Sequence, residues 1–288
     1  MKNQQLIFKT PPKVELTHLD NLFLQLCTKT CNLKCKHCYI EKNPYKNEED
    51  FIPLEKIKQN LIAIKNQNLK SIYLTGGEPL MHPDFNQILR MSLKISNTTV
   101  MSNGVMINDK KARFLRKIDD ESQFETIYRI SLDSTDELEN DALRGRGSFR
   151  KALVAIMSLL KYEFNPIISV INYKSRPQGE IFEEFQKYFS KKGFALDDIN
   201  LKIIPFFNKN KNLEEIEINE NINIEKLDCL NSRVISKNGV FACPMLVDDY
   251  RARLGSNILD CSNINYLDCE MCATCVSCGQ KIQVNDWM

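Results

Sequence analysis

Between residues 22 and 204 short apolar runs alternate with amphipathic segments, six times over. The runs are Leu22–Leu26, Ser71–Leu74, Asn97–Met101, Thr126–Ile130, Pro166–Ile171 and Asn200–Ile204. Each is short and apolar enough for a buried strand. Between them lie segments with helical spacing. One starts at Pro53, with Ile57, Leu61, Ile64 and Ile62 as its inward set; a second starts at Pro83 and turns in Phe85, Ile88 and Leu89. Further helices are expected over 109–118, over 148–161 with Leu153, Ile156, Leu159 and Leu160, and over 179–190. Proline at a first turn suits a helix start, and the 3.6-residue period marks one buried face. Strand–helix alternation of this kind builds a parallel sheet from βαβ units. The fold class expected is therefore α/β, with six repeats forming a partial (β/α)6 TIM-like barrel. In such barrels the reactive end is the C-terminal end of the strands.

The cysteines place chemistry at that end. Eleven occur in 288 residues, grouped at 27–38 and 229–278. A disulfide framework belongs to small secreted domains, and no apolar leader follows Met1-Lys-Asn-Gln-Gln. The expectation is a reducing cytoplasm and thiols available to metals. No apolar window is long enough to cross a bilayer. The formal net charge of +2 gives no ground for nucleic-acid or membrane binding. Directly after the first strand runs Cys31-Asn-Leu-Lys-Cys35-Lys-His37-Cys38. Three thiolates this close can face one metal centre, and they number one fewer than an iron–sulfur cubane usually takes from protein. An open iron is the consequence. A structural zinc would need a fourth protein ligand, and only His37 is near; unconnected buried cysteines are the other alternative. Cys27, within the strand run, reads as a core residue.

The strand Ser71–Leu74 is followed by Thr75-Gly76-Gly77-Glu78-Pro79. Glycines let backbone approach a ligand closely, and Glu78 offers an acceptor for an ammonium group. The cysteine loop and this turn, in this order, resemble the radical S-adenosylmethionine (SAM) superfamily. His37 stands where that family usually has an aromatic ring. The resemblance implies a 4Fe–4S cluster on Cys31, Cys35 and Cys38, and SAM bound through its amino group at Gly76, Gly77, Glu78 and Pro79. Ser131 and Asp133, after the fourth strand, match its ribose-contact position; a turn or helix cap is the alternative. Ser102-Asn103-Gly104 resembles the Thr-Asn-Gly turn of its peptide-modifying branch, or is simply an Asn-Gly turn. Arg144, in an Arg-Gly-x-Gly-x-Phe segment, would pair with the SAM carboxylate, the alternative being a solvated side chain.

From residue 228 the chain changes character. Cys229 is followed by Gly239, Cys243, Cys261, Cys269, Cys272, Cys275 and Cys278. The last four, at two-residue intervals, are similar to a ferredoxin run with its final gap short by one; a zinc ribbon stays open. The layout resembles the SPASM or twitch extension of radical SAM enzymes, although no cysteine stands at position 282, where the family would place its next. That resemblance implies one or two auxiliary 4Fe–4S clusters. The expected full set is Cys229, Cys243, Cys261 and one of the last four, with a three-cysteine cluster from the remainder. The domain division expected is an arm over 1–20, a barrel over 21–207, a linker over 208–227 and a small cysteine-rich cluster domain over 228–288.

The function implied is reductive cleavage of SAM to a 5′-deoxyadenosyl radical, which takes hydrogen from a substrate in a closed cavity. The reductant would be an external one-electron carrier such as flavodoxin or ferredoxin. The branch resemblance favours a peptide or protein substrate, through a crosslink, epimerisation or oxidation. The alternative is a small metabolite, although Asn285-Asp-Trp-Met288 lacks the Gly-Gly tail of the molybdenum-cofactor GTP cyclase. A non-catalytic iron–sulfur carrier or sensor would explain the cysteines but not the Gly-Gly-Glu-Pro turn.

Overall fold

The computed structural model describes residues 11–40, 50–197, 200–206, 227–247, 249–269, 271, 272 and 275. The linker segment 208–226, Cys278, the C-terminal Asn285–Met288 and the first ten residues of the arm lie outside the described residues. Among those described, the strands, numbered in chain order, are β1 (Lys13–Glu15), β2 (Asn21–Gln25), β3 (Ser71–Thr75), β4 (Thr98–Ser102), β5 (Thr126–Ser131), β6 (Ile167–Asn172), β7 (Leu201–Pro205), β8 (Ser232–Ser236), β9 (Gly239–Phe241), β10 (Arg253–Gly255) and β11 (Ile264–Tyr266). The helices are α1 (Leu54–Ile64), α2 (Phe85–Ser92), α3 (Asp109–Asp120), α4 (Glu137–Arg144), α5 (Ser148–Lys161) and α6 (Gln178–Ser190).

The six expected strands form one parallel run, β2 to β7 in sequence order. Every residue of β2 and β3 is buried, as parallel strands covered on both faces must be. The helices pack as their periodicity requires. Ile57, Leu61 and Ile64 of α1, Phe85, Ile88 and Leu89 of α2, and Ile156 and Leu159 of α5 are buried in a single core. Leu153 and Leu160 pack at its margin. Ile62 is 56% exposed: it lies one position beyond Leu61, about 100° round the helix, and so leaves the core face. Cys27 falls just past β2 rather than within it, in a bridge to Phe51.

The sheet does not stop at β2. On its other edge β8 pairs in parallel, Leu22 facing Arg233 and Phe23 facing Val234, and β9 and β10 follow antiparallel. Part of the arm is tied as well, since β1 pairs antiparallel with β11. A second core forms here from Val14, Phe23, Tyr73, Val234, Phe241 and Leu246, with the Phe23 and Tyr73 rings stacked 4.5 Å apart. It joins the barrel wall to the cysteine-bearing C-terminal segment.

Candidate metal and cofactor site

The ends of the parallel strands hold a cavity of about 200 Å³. The loop after β2 brings Cys31, Cys35 and Cys38 to its wall, together with His37. Facing them are Gly76 and Gly77 after β3, Ser102 and Asn103 after β4, Ser131 at the end of β5, and Arg144 at the end of α4.

The cysteine loop is held at several points. Asp50 accepts hydrogen bonds from the backbone N–H groups of Thr28, Lys29 and Thr30, at 3.2, 2.8 and 2.6 Å. The Gly77 N–H donates to the Cys27 carbonyl and the Glu78 N–H to that of Thr30, both at 3.0 Å. The two glycines are required by this contact. A Cβ on Gly76 would lie 2.4 Å from the Cys27 carbonyl oxygen, at a φ of +141°, and one on Gly77 would lie 2.1 Å from that of Thr30. So the backbone they admit closely is that of the cysteine loop, as well as anything in the cavity. On the far side Lys36 N–H donates to the Leu143 carbonyl at 2.8 Å, and the Cys35 thiol points at the Arg144 carbonyl, 3.8 Å away. Asn103 Nδ2 reaches Asn32 Oδ1 at 2.7 Å and Cys31 Sγ at 3.7 Å. Cys27 sits beneath, its thiol donating toward the Thr30 and Glu78 carbonyls. Burial pushes that thiol up to about 12, as suits a core cysteine.

Glu78 and Pro79 do not line the cavity. The Glu78 carboxylate is 1% exposed and faces the neighbouring strand end. Oε1 accepts from the Ser102 hydroxyl at 2.9 Å and the Leu80 N–H at 3.2 Å, while Oε2 accepts from the Asn103 N–H at 2.9 Å. It locks the turn after β3 to the one after β4. Replacing it with Gln puts an amide NH₂ against these donors. The expected result for E78Q is a loss of about 1–3 kcal/mol in unfolding free energy, measured by denaturant titration of metal-free protein.

Asp133 likewise turns away from the cavity. Its carboxylate receives the Arg144 guanidinium, with Nε 2.6 Å from Oδ2 and Nη2 donating to Oδ1 at 2.8 Å. It also takes the Ile171 N–H at 2.9 Å and lies 3.1 Å from His37 Nε2. Burial works against its charge, but Arg144 and His37 outweigh that and hold the carboxyl at about 2. Arg144 is thus on the cavity wall with its charge already matched by Asp133.

Sequence reasoning missed Arg129, which is 1% exposed, lines the cavity and donates from Nε to Ser169 Oγ at 3.2 Å. A charged residue inside the otherwise apolar run Thr126–Ile130, two positions before Ser131 and so on its face, was the available signal. Asp50 gave none.

A second cavity is lined by Cys229, Cys243, Cys272 and Cys275. Burial raises the thiols of Cys229 and Cys243. Cys261 does not join them. It follows β10, donates from its thiol to the Ile258 carbonyl at 3.2 Å and packs on the barrel core. The expected ligand set grouped Cys261 with Cys229 and Cys243, whereas the thiols that line this cavity are two beside the β8–β9 hairpin and two from a helical Cys-x2-Cys segment. Cys269 is buried behind them, its thiol raised by its neighbour Cys272 and by burial. Met245 lines both cavities. Among the described residues no three His, Cys, Asp or Glu side chains are placed to hold a single metal ion, and no helix is long and apolar enough to cross a membrane.

The two donor sets fit iron–sulfur clusters by their chemistry. Three thiols share one cavity with uncommitted space beside them, and four thiols line the other, the number a closed cubane takes. Comparison with known proteins decides the family. Residues 26–189 match the Radical SAM superfamily, more than half of the chain. This chain belongs to the radical SAM superfamily. Members of that family use a 4Fe–4S cluster and SAM. Among curated relatives it is similar to the antilisterial bacteriocin subtilosin biosynthesis protein AlbA of Bacillus subtilis (strain 168), 31% identical over 134 residues, covering 46% of this chain and 29% of the relative. It is also similar to a probable GTP 3′,8-cyclase of Archaeoglobus fulgidus, 26% identical over 182 residues, covering 62% of this chain and 59% of the relative. The chain thus spans less than two thirds of either. Its fold is like that of Streptococcus suis SuiB bound to precursor peptide SuiA, with a TM-score of 0.60 at 16% identity over 85% of this chain and 65% of that one.

Proposed function

We propose that this radical SAM protein cleaves SAM reductively and modifies a peptide. The observation that carries the reading is the convergence of Cys31, Cys35 and Cys38 with the turns after β3, β4 and β5 on one cavity. In this reading the three cysteines hold a 4Fe–4S cluster that, when bound, supplies the electron converting SAM to methionine and a 5′-deoxyadenosyl radical. The chain's own residues do the rest. Gly76 and Gly77 keep the wall thin beside the cluster loop. Ser131, Ser102 and Asn103 offer hydroxyl and amide groups to the polar parts of SAM, and Arg144 offers its cavity-facing edge to the carboxylate. His37 takes the place beside the third cysteine. Glu78, Pro79 and Asp133 act from behind by fixing those groups. Apolar side chains, Phe23, Tyr39, Met101, Ile204 and Phe206, exclude water around the radical.

In this reading the C-terminal set Cys229, Cys243, Cys272 and Cys275 holds an auxiliary cluster, and Cys261 and Cys269 do not line its cavity. The barrel over 21–207 and the cluster segment over 228–288 are the working divisions, and an external one-electron carrier feeds the first cluster. Support for a peptide substrate comes from the bacteriocin-biosynthesis relative and from the precursor peptide bound by the structural neighbour. A small-metabolite substrate is favoured by one observation, the likeness to the probable GTP cyclase. The test is anaerobic incubation of cluster-loaded protein with SAM, dithionite and either deuterated candidate peptides or nucleotides. Formation of 5′-deoxyadenosine carrying deuterium from the peptide is the expected outcome. Deuterium from the nucleotide alone would reverse the substrate assignment, and no 5′-deoxyadenosine under any condition would remove the activity.

A further inference from the structure

The loop that carries Cys31, Cys35 and Cys38 has an inner and an outer side. Cys35, His37 and Cys38 line the cavity, whereas Lys34 and Lys36 do not, and both lysines are exposed. They flank Cys35, which is itself only partly buried. The turn after α4 lies against this outer side. The Lys36 N–H donates to the Leu143 carbonyl at 2.8 Å, the Cys35 thiol points at the Arg144 carbonyl, and a Cβ on Gly145 would meet Leu33 Cδ2 at 4.0 Å. Arg146, exposed on that turn, therefore joins Lys34 and Lys36 on one rim. Residues 27–40 contain no Asp or Glu, and neither do residues 142–151. The acids beside these stretches are committed elsewhere. Asp141 accepts from the Gly147 and Phe149 N–H groups, Glu137 pairs with Arg150 at 2.7 Å, Asp133 holds Arg144, and Asp50 holds the backbone of Thr28 to Thr30. The outer side of the loop is thus basic in a chain whose formal net charge is only +2.

We propose that Lys34, Lys36 and Arg146 form the docking surface for an acidic one-electron carrier protein, which passes its electron inward across the Cys35 side of the loop. This rests on the reading of Cys31, Cys35 and Cys38 as a cluster site, and adds where the reductant lands. The inner side of the loop faces a cavity of about 200 Å³, too small for a protein, so a carrier meets the loop from outside. The transfer is of one electron, lost by the carrier and gained by the cluster, with no atom exchanged. Electron-transfer encounters bury little surface, so a few charges around the redox centre are enough to orient the partner. Complementary charge acts mainly on the rate of encounter and on partner choice, and salt screens it. A basic rim selects an acidic partner. None of the three side chains lines the cavity, so their charge is separable from the chemistry inside it.

The experiment uses the full, cluster-loaded chain and two acidic probes, a flavodoxin and a ferredoxin. The rim variant K34E/K36E/R146E is compared with wild type and with K110E/K187E/K191E, which makes the same charge change at exposed positions of α3, of α6 and just beyond α6. Iron counting and circular dichroism establish equal loading and folding. Calorimetric titration with each oxidised carrier gives the affinity, and stopped-flow reoxidation of the reduced carrier gives the rate at several carrier and salt concentrations. At low salt the rim variant should lose affinity and show a second-order rate constant lower by about tenfold or more, with most of the salt dependence gone. The control triple should stay near wild type. The rim variant's deficit should be recovered at saturating carrier, and its 5′-deoxyadenosine formation with dithionite should be unchanged. Should the Glu form load less iron, the Gln form at the same three positions replaces it, with a smaller drop in the same direction expected. Equal effects of the two triple variants, or no effect of the rim variant, overturn the proposal. So does a change confined to the limiting rate, which would assign the three residues to the potential of the cluster. Weaker binding of a polyglutamate peptide with carrier binding unchanged would give the rim to an acidic peptide instead, and a wild type that binds neither carrier overturns it outright. If wild type makes no 5′-deoxyadenosine even with dithionite, the cluster reading fails first, which is seen before any variant is compared.

Discussion

Replacement of Cys31, Cys35 and Cys38 by Ala is expected to lower 5′-deoxyadenosine formation to the enzyme-free background and to remove about four irons per chain, the content of one cubane. About four should remain on the C-terminal cysteines. The two effects are linked because SAM cleavage needs the electron held by the first cluster, and no other donor set described here faces the same cavity. The fold itself should survive. Cys31 is buried, but Cys35 and Cys38 are only partly so, and the loop is anchored through backbone bonds to Asp50, Gly77 and Leu143 that the substitutions leave in place. Iron counting on the reconstituted variant, alongside product analysis, checks both parts. Retention of the full iron content would show that these cysteines do not hold the cluster.

The second large effect falls on Asp133. Asp133→Asn leaves Arg144 buried without its carboxylate, and removing one partner of a buried pair typically costs about 3–5 kcal/mol. The pH dependence gives an independent reading. The carboxyl is depressed from 3.8 to about 2 in the folded chain, so its ionised form is favoured by folding. The corresponding stabilisation, about 2 kcal/mol at about 1.4 kcal/mol per pH unit, is present above the unfolded value. It is lost as pH falls from about 4 through about 2. The difference between wild-type and Asp133→Asn unfolding free energies should therefore be constant at neutral pH and shrink over that acid window. Glu139, also held at about 2 by Lys174 and Ser134, titrates in both proteins and cancels in the difference. Equal stability of the two proteins at neutral pH would refute the account of Asp133 as the anchor of the wall. Loss of SAM affinity without loss of stability would instead return it to the ribose contact expected from its position.

What was legible followed from periodicity and spacing. Six strands, five helices and the cysteine loop announce themselves because burial on both faces demands unbroken apolar runs and because three close thiols have few other uses. Helix α4 was not legible: Glu137–Arg144 carries few apolar residues, and its signal is the cap, where Asp136 Oδ1 accepts from the Glu139 N–H at 2.8 Å. The orientation of Glu78 and Asp133 was not legible either. A carboxylate after a strand can face a ligand or the next turn, and only the positions of Ser102, Asn103 and Arg144 choose. For the C-terminal cysteines spacing alone could not separate Cys261 from Cys272 and Cys275, because the path of β10 and β11 decides which thiols meet.

The pairing of β8 with β2 has a practical consequence. Residues 21–207 look self-contained in sequence, yet a version cut at that point would strip β2 of its neighbour along Asn21–Leu24. The exposed row of N–H and C=O groups would belong to Asn-Leu-Phe-Leu, a strand with no charge, no proline and no bulge to discourage a second chain from docking there. Phe23 and Tyr73 would lose the apolar cover of Val234 and Phe241 at the same stroke. Attempts to prepare a minimal catalytic half of this protein are therefore attempts to prepare a sticky edge, and would need a substitute strand or a charged residue at Phe23, whose face loses its cover, rather than at Leu22 or Leu24, which stay in the barrel core.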